Sequence, residues 1–257
     1  MEPPSPLDSA APPWRSQLLC ETCGYGLFGL ADDADGPECG RAVAASRPTH
    51  RTGPAWQNRR TARAWAATVW GVLRRPKRTF GTMRLEGPNL ASRLFLLSIA
   101  SVVGVGWGAF WMLTQSGGLL GGWTAGMVAA KVTLGMTYVE ACGVTLFSWR
   151  RKWRVPFATA ERVTCYASVG WVVAAAVGAV LVVVAGDGRA EAWTAALIGH
   201  WDADYRLFLV AVGFGAAVLG FEMLVWTGVR QVRFGNRPAR KFHEAAVSAQ
   251  AHRPHDP

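Results

Sequence analysis

"ASRLFLLSIASVVGVGWGAFWMLT", residues Ala91–Thr114, carries one charge, Arg93, near its start and then an unbroken run of apolar, glycine and small hydroxyl residues. About 20 such residues, wound as a helix, cross the hydrocarbon core of a bilayer. Three further windows read the same way: Gly122–Trp149, Val163–Gly186 and Tyr205–Val229. The expected fold class is therefore an all-α membrane protein, a four-helix transmembrane bundle.

The charges around these windows give an orientation. Arg59, Arg60, Arg63, Arg74, Arg75, Lys77, Arg78 and Arg84 precede the first, and "QSGGLLGG" after it is uncharged. Arg150, Arg151, Lys152, Arg154 and Arg162 follow the second, while Asp187, Glu191, Asp202 and Asp204 dominate the third connection. The tail from residue 230 to 257 is basic again, with Arg230, Arg233, Arg237, Arg240 and Lys241. Basic, neutral, basic, acidic, basic is the alternation of four spans with both ends in the cytoplasm. The chain is 51% hydrophobic and still has a net charge of +10, because basic clusters and apolar runs are segregated. That segregation points to a lipid bilayer and anionic headgroups as partners and away from nucleic acid. The arginine, alanine, glycine and tryptophan bias fits a GC-rich bacterial source, hence the bacterial inner membrane.

Within the spans, Gly104 and Gly108 form G-x-x-x-G, and Ala174/Gly178 and Ala216/Gly220 give small pairs at the same spacing. Such pairs allow close helix crossings, within one chain or between copies in a homo-oligomer. Away from the window ends, three charged residues fall inside: Lys131, Glu140 and Glu222. At about 100° per residue, Lys131 and Glu140 lie on opposite helix faces. Glu140 and Glu222 both stand shortly before a basic cluster, so they share a depth and could face each other, sharing a proton or a cation. A small transporter or channel would use these groups. No P-loop, dinucleotide fingerprint or Ser-His-Asp pattern occurs, so no enzyme is expected. "GHWDADYR", with His200, Asp202 and Asp204, reads as a solvated acidic loop.

Upstream, residues 59–86 hold Ala62, Trp65, Val69, Val72, Leu73, Pro76 and Phe80 at helical spacing beside arginines. This is an amphipathic juxtamembrane helix, bent or ended at Pro76. "WGVLRRPKRTFGTM", with Pro76–Phe80, and "ATAERVTCYASVGW", with Tyr166–Ser168, resemble the Yip family of membrane proteins. The resemblance covers roughly residues 60–230. It implies a helical membrane bundle whose members usually have five spans. Here the charge alternation supports four, with Ala190–Trp201 as a short or re-entrant fifth helix at the outer surface.

Residues 1–16, rich in proline and serine, lack the basic and apolar regions of a secretory signal and read as disordered. Cys20, Cys23 and Cys39 follow, in "CETCGYGLFGLADDADGPECG". Residues 17–41 resemble the zinc ribbons C-x-x-C-G-Y-x-L…C-P-x-C-G that are fused to bacterial membrane proteins. The resemblance implies a small head held by zinc, yet Gly36 stands where the third cysteine belongs, so the ligand set is incomplete. Asp35, beside the vacancy, is the leading fourth ligand, ahead of Asp33 and His50. Residues 42–58 read as a linker. Since the recognisable features concentrate on the cytoplasmic side, the expected function is a non-enzymatic, protein-recruiting adaptor or membrane-organising factor.

Overall fold

The computed structural model of the chain describes residues 18–114, 118–186 and 205–236, apart from the side chains at 184–186, 205–211, 214 and 217. The acidic loop and Ala190–Trp201 lie outside the described residues, as do residues 1–17 and most of the tail. What is described is mainly helical and falls into two compact units.

The larger unit spans 53–83 and 88–233. It starts with α1 (Ala55–Asn58), α2 (Ala62–Arg74) and α3 (Pro76–Gly81). Thr61 caps α2 by accepting a hydrogen bond from the Ala64 N–H, satisfying one of the orphan donors of the first turn. Arg75 leaves helical geometry ahead of Pro76, whose fixed φ then suits the first turn of α3. The segment 62–81 is thus two helices with a break. Ala64, Thr68 and Val72 form the buried face of α2, whereas Leu73 and Ala62 from the expected stripe are exposed.

Four long helical stretches follow: α4 (Leu90–Thr114), α5 (Gly118–Arg150), α6 (Phe157–Ala167) running at Ser168 into α7 (Val169–Gly186), and α8 (Tyr205–Val232). α4 lies along α5, α7 lies along α8, and α6 touches α4, α5 and α8. Among the described residues, Leu90–Thr114 and Phe157–Val183 are long and apolar enough to cross a membrane. α5 is longer than either, but Lys131, Glu140 and its many glycines and threonines dilute its apolar content.

Two G-x-x-x-G motifs meet where α4 crosses α5. A Cβ on Gly104 would lie 2.8 Å from the Gly126 carbonyl oxygen, and one on Gly108 would lie 2.8 Å from that of Gly122. The backbones therefore touch, and only hydrogen side chains permit it. Gly104 and Gly108 are thus used within one chain, against a second motif in α5.

Phe95 of α4 gathers Trp56, Trp65 and Tyr166 around its ring, the last at 5.0 Å between centroids. The Trp65 indole N–H donates to Ser98 Oγ at 2.7 Å, and that of Trp56 donates to the Ala91 carbonyl at 2.7 Å, fixing α1 and α2 to α4. Phe80 and Val163 both pack on Gly228 of α8.

The buried Glu161 carboxylate accepts from Arg93 Nε at 2.6 Å and from Asn89 Nδ2 at 2.5 Å, tying the start of α4 to α6. Asn89 Oδ1 in turn accepts from the Arg162 guanidinium. Glu161→Leu removes the acceptor and leaves Asn89 and Arg93 without it. We expect a loss of about 2–3 kcal/mol, measured as a lower melting temperature in detergent.

Candidate metal centre

The smaller unit comprises the described residues of 1–52, 84–87 and 234–257. Its first chain reversal is set by local hydrogen bonds. The Cys20 N–H donates to the Tyr25 carbonyl at 2.8 Å, the Gly24 N–H donates to the Cys20 carbonyl at 2.8 Å, and Leu19 bridges to Gly26. Gly24, at φ 81°, takes the left-handed position that a side chain would strain.

The second reversal repeats the first residue for residue. The Gly36 N–H donates to the Arg41 carbonyl at 2.8 Å, the Gly40 N–H donates to the Gly36 carbonyl at 2.8 Å, and Asp35 bridges to Ala42. Gly40, at φ 64°, corresponds to Gly24. Cys39 therefore stands for Cys23, and Gly36 stands for Cys20. The second turn keeps its backbone although its first thiol is absent.

The two turns bring three sulfurs together: Cys20, Cys23 and Cys39 have their Sγ atoms within 4.8 Å of one another. Cys20 Sγ lies 3.4 Å from Cys39 Sγ. Thiolates on one tetrahedral zinc, at about 2.3 Å each, stand about 3.8 Å apart, so this spacing fits such an ion. Cys20 is buried, Cys23 partly buried and Cys39 exposed. Burial works to raise the Cys20 thiol, but backbone hydrogen bonds from Cys23 and Thr22 and contacts with the other two sulfurs bring it down to about 7. N–H groups aimed at a sulfur favour the thiolate, the form that binds metal. A backbone hydrogen bond from Tyr25 also favours the Cys23 thiolate, yet burial and the two neighbouring sulfurs raise its pKa.

Asp35 does not join this group, which corrects the expectation drawn from its place beside Gly36. Its backbone is held in the bridge to Ala42 and its side chain is exposed. Asp33 and His50 are exposed and outside the group too. Asp32 is occupied by Arg47.

Around the sulfurs the unit has its own core, with Cys20, Leu27 and Val43 buried and Leu18, Cys23 and Ala34 packed on them. It extends beyond Arg41 to Thr52, through two short 3-10 turns at Val43–Ser46 and Pro48–His50. Arg51 donates from Nε and Nη2 to the two oxygens of Glu21, both at 2.9 Å, with side chains only 3% and 5% exposed. Asn236 completes it from the far end of the chain. Its Oδ1 accepts from the Leu19 N–H at 3.0 Å, and its Nδ2 donates to the Leu19 and Ser46 carbonyls at 2.7 Å.

In the larger unit, the side chains of Glu140 on α5 and Glu222 on α8 lie near one another. Lys131 is exposed on α5 and stands apart from that pair.

Comparison with models of known protein families, with curated proteins and with solved structures gives no match. Function therefore rests on the geometry above. Sequence reasoning missed Glu21, Arg51, Asn236 and the Arg93–Glu161 pair. A signal existed only for the last, in the spacing of Asn89 and Arg93, four residues apart at the start of a helix.

Proposed function

We propose that this chain is a multi-pass inner-membrane protein, Yip-like in its bundle, that recruits protein through a zinc-stabilised cytoplasmic head. Both ends are cytoplasmic, the basic segment at 59–86 lies against anionic lipid, and the role is non-enzymatic. The observation that carries the reading is the head itself. It is a closed unit with a core and a buried ion pair, and it nevertheless leaves Phe28 88% exposed beside the exposed Tyr25 and Leu30. Aromatic side chains left in water on so small a unit suit a protein contact.

Two features support the membrane part. The helices Leu90–Thr114 and Phe157–Val183 have the length and composition to span. Val105, Leu113, Leu119, Leu120 and Val139 point outward from α4 and α5, an arrangement suited to lipid. Zinc suits the head because three thiolates prefer a soft or borderline ion.

Cross-linking the tagged chain in its own cells and identifying what co-purifies tests the recruiting role. A Phe28→Asp variant is expected to lose a specific partner that the unaltered chain retains. A partner list unchanged in Phe28→Asp, and unchanged again when residues 1–52 are removed, would sink the adaptor reading.

A second reading is favoured by the Glu140–Glu222 contact: a small transporter or channel that moves protons or cations. In liposomes, Glu140→Gln would then abolish a flux that the unaltered chain supports. Absence of flux in the unaltered chain removes this reading.

A further inference from the structure

The second turn of the head is built to hold a ligand that residue 36 does not supply. Its hydrogen bonds, bridge and left-handed glycine match those of the first turn, where Cys20 provides a thiol. Gly36 is buried, and a Cβ there would come 3.1 Å from the Arg41 carbonyl oxygen and 4.0 Å from Leu27. A side chain there requires the Arg41 carbonyl to give by a few tenths of an ångström. No described carboxylate or imidazole joins the three sulfurs, and Asp35, Asp33 and His50 are all exposed outside the group. The site is not sealed either, since Pro37, Glu38, Cys39 and Gly40 are exposed along one side.

We infer that Cys20, Cys23 and Cys39 form a three-thiolate site for one thiophilic divalent cation of the zinc class, whose fourth position, left vacant by Gly36, is open to an exchangeable small donor such as a thiolate or an imidazole. A four-thiolate ribbon is coordinatively closed and purely structural, whereas a site with one free position can exchange its outer ligand. Gly36 thus makes the difference between a clamp and a receptor. The inference rests on the reading of the head as a metal site and is independent of whether the head recruits protein.

The experiment uses the full chain purified in detergent and Co2+ as the spectroscopic probe. The unaltered chain is expected to bind one Co2+, with thiolate-to-metal absorption that Cys20→Ser removes and Cys142→Ser leaves intact. Adding imidazole or a small thiol shifts the Co2+ spectrum of the unaltered chain. Gly36→Cys supplies the fourth thiolate, so the same additions leave its spectrum unchanged, and its affinity for Zn2+ rises about tenfold or more. Failure to bind Co2+ or Zn2+, or binding that survives Cys20→Ser, overturns the metal reading together with this inference. Binding that depends on Cys20, with a spectrum indifferent to added donors, overturns the open position alone and means that the chain or a second copy fills it. An affinity unchanged in Gly36→Cys overturns the equivalence of residues 36 and 20.

Discussion

Gly126→Leu is expected to unpack α4 from α5. A Cβ at residue 126 would stand 2.6 Å from the Gly104 carbonyl oxygen and 3.4 Å from its carbonyl carbon. Both are backbone atoms, so no rotamer change relieves the clash, and the helices must separate. Separation also opens the Gly108–Gly122 contact one turn away, because the two motifs run along the same crossing. Overpacking typically costs 1–3 kcal/mol, and loss of a whole crossing puts the expected effect at about 3 kcal/mol or more. Gly106 lies between Gly104 and Gly108 but has nothing within 4 Å of a Cβ position. Gly106→Leu therefore changes stability by under about 1 kcal/mol, with helix propensity favouring the leucine. Thermal unfolding of both variants in the same detergent separates them, and equal midpoints would refute the crossing.

Arg51→Met is expected to unfold the head. It leaves the Glu21 carboxylate buried without its bidentate partner, a change that costs about 3–5 kcal/mol in comparable buried pairs. A unit this small has little apolar area to offset such a loss. Hydrogen exchange at the Leu27 and Val43 amides, both of which donate to backbone carbonyls within the unit, reports it. Protection there should fall sharply in Arg51→Met while α4 and α5 keep theirs. The double variant Glu21→Leu with Arg51→Met removes both charges, so much of the protection should return. If the single and double variants behave alike, the ion pair is not what holds the head closed.

The sequence made some of this legible and hid the rest for physical reasons. The long helices were visible because an apolar run of the right length has few alternatives, and the three cysteines because two similar turns place their sulfurs together. The start of α4 was read to within one residue. The break at Pro76 was visible in the residue itself. Asp35 adjoins the vacancy in sequence but stands outside the group of sulfurs, its backbone held in the bridge to Ala42. Gly122 and Gly126 carry the same spacing as Gly104 and Gly108, but a motif does not name its partner. Asn236 and Leu19 are 217 residues apart, and no periodicity links them. Glu161 hid at the edge of an apolar run, where its neighbours suggested a flank.

Asn236 comes after the last long helix, yet it supplies three of the hydrogen bonds that close the unit holding Cys20, Cys23 and Cys39. During synthesis the cysteine turns emerge first and wait for a latch made after the last long helix. Every helix between them must have been produced before the two ends can meet. The head in its finished form therefore shows that synthesis has passed residue 236. Chains released early carry all three cysteines but no latch. A partner that grips only the closed head would ignore such fragments, with no separate proofreading step.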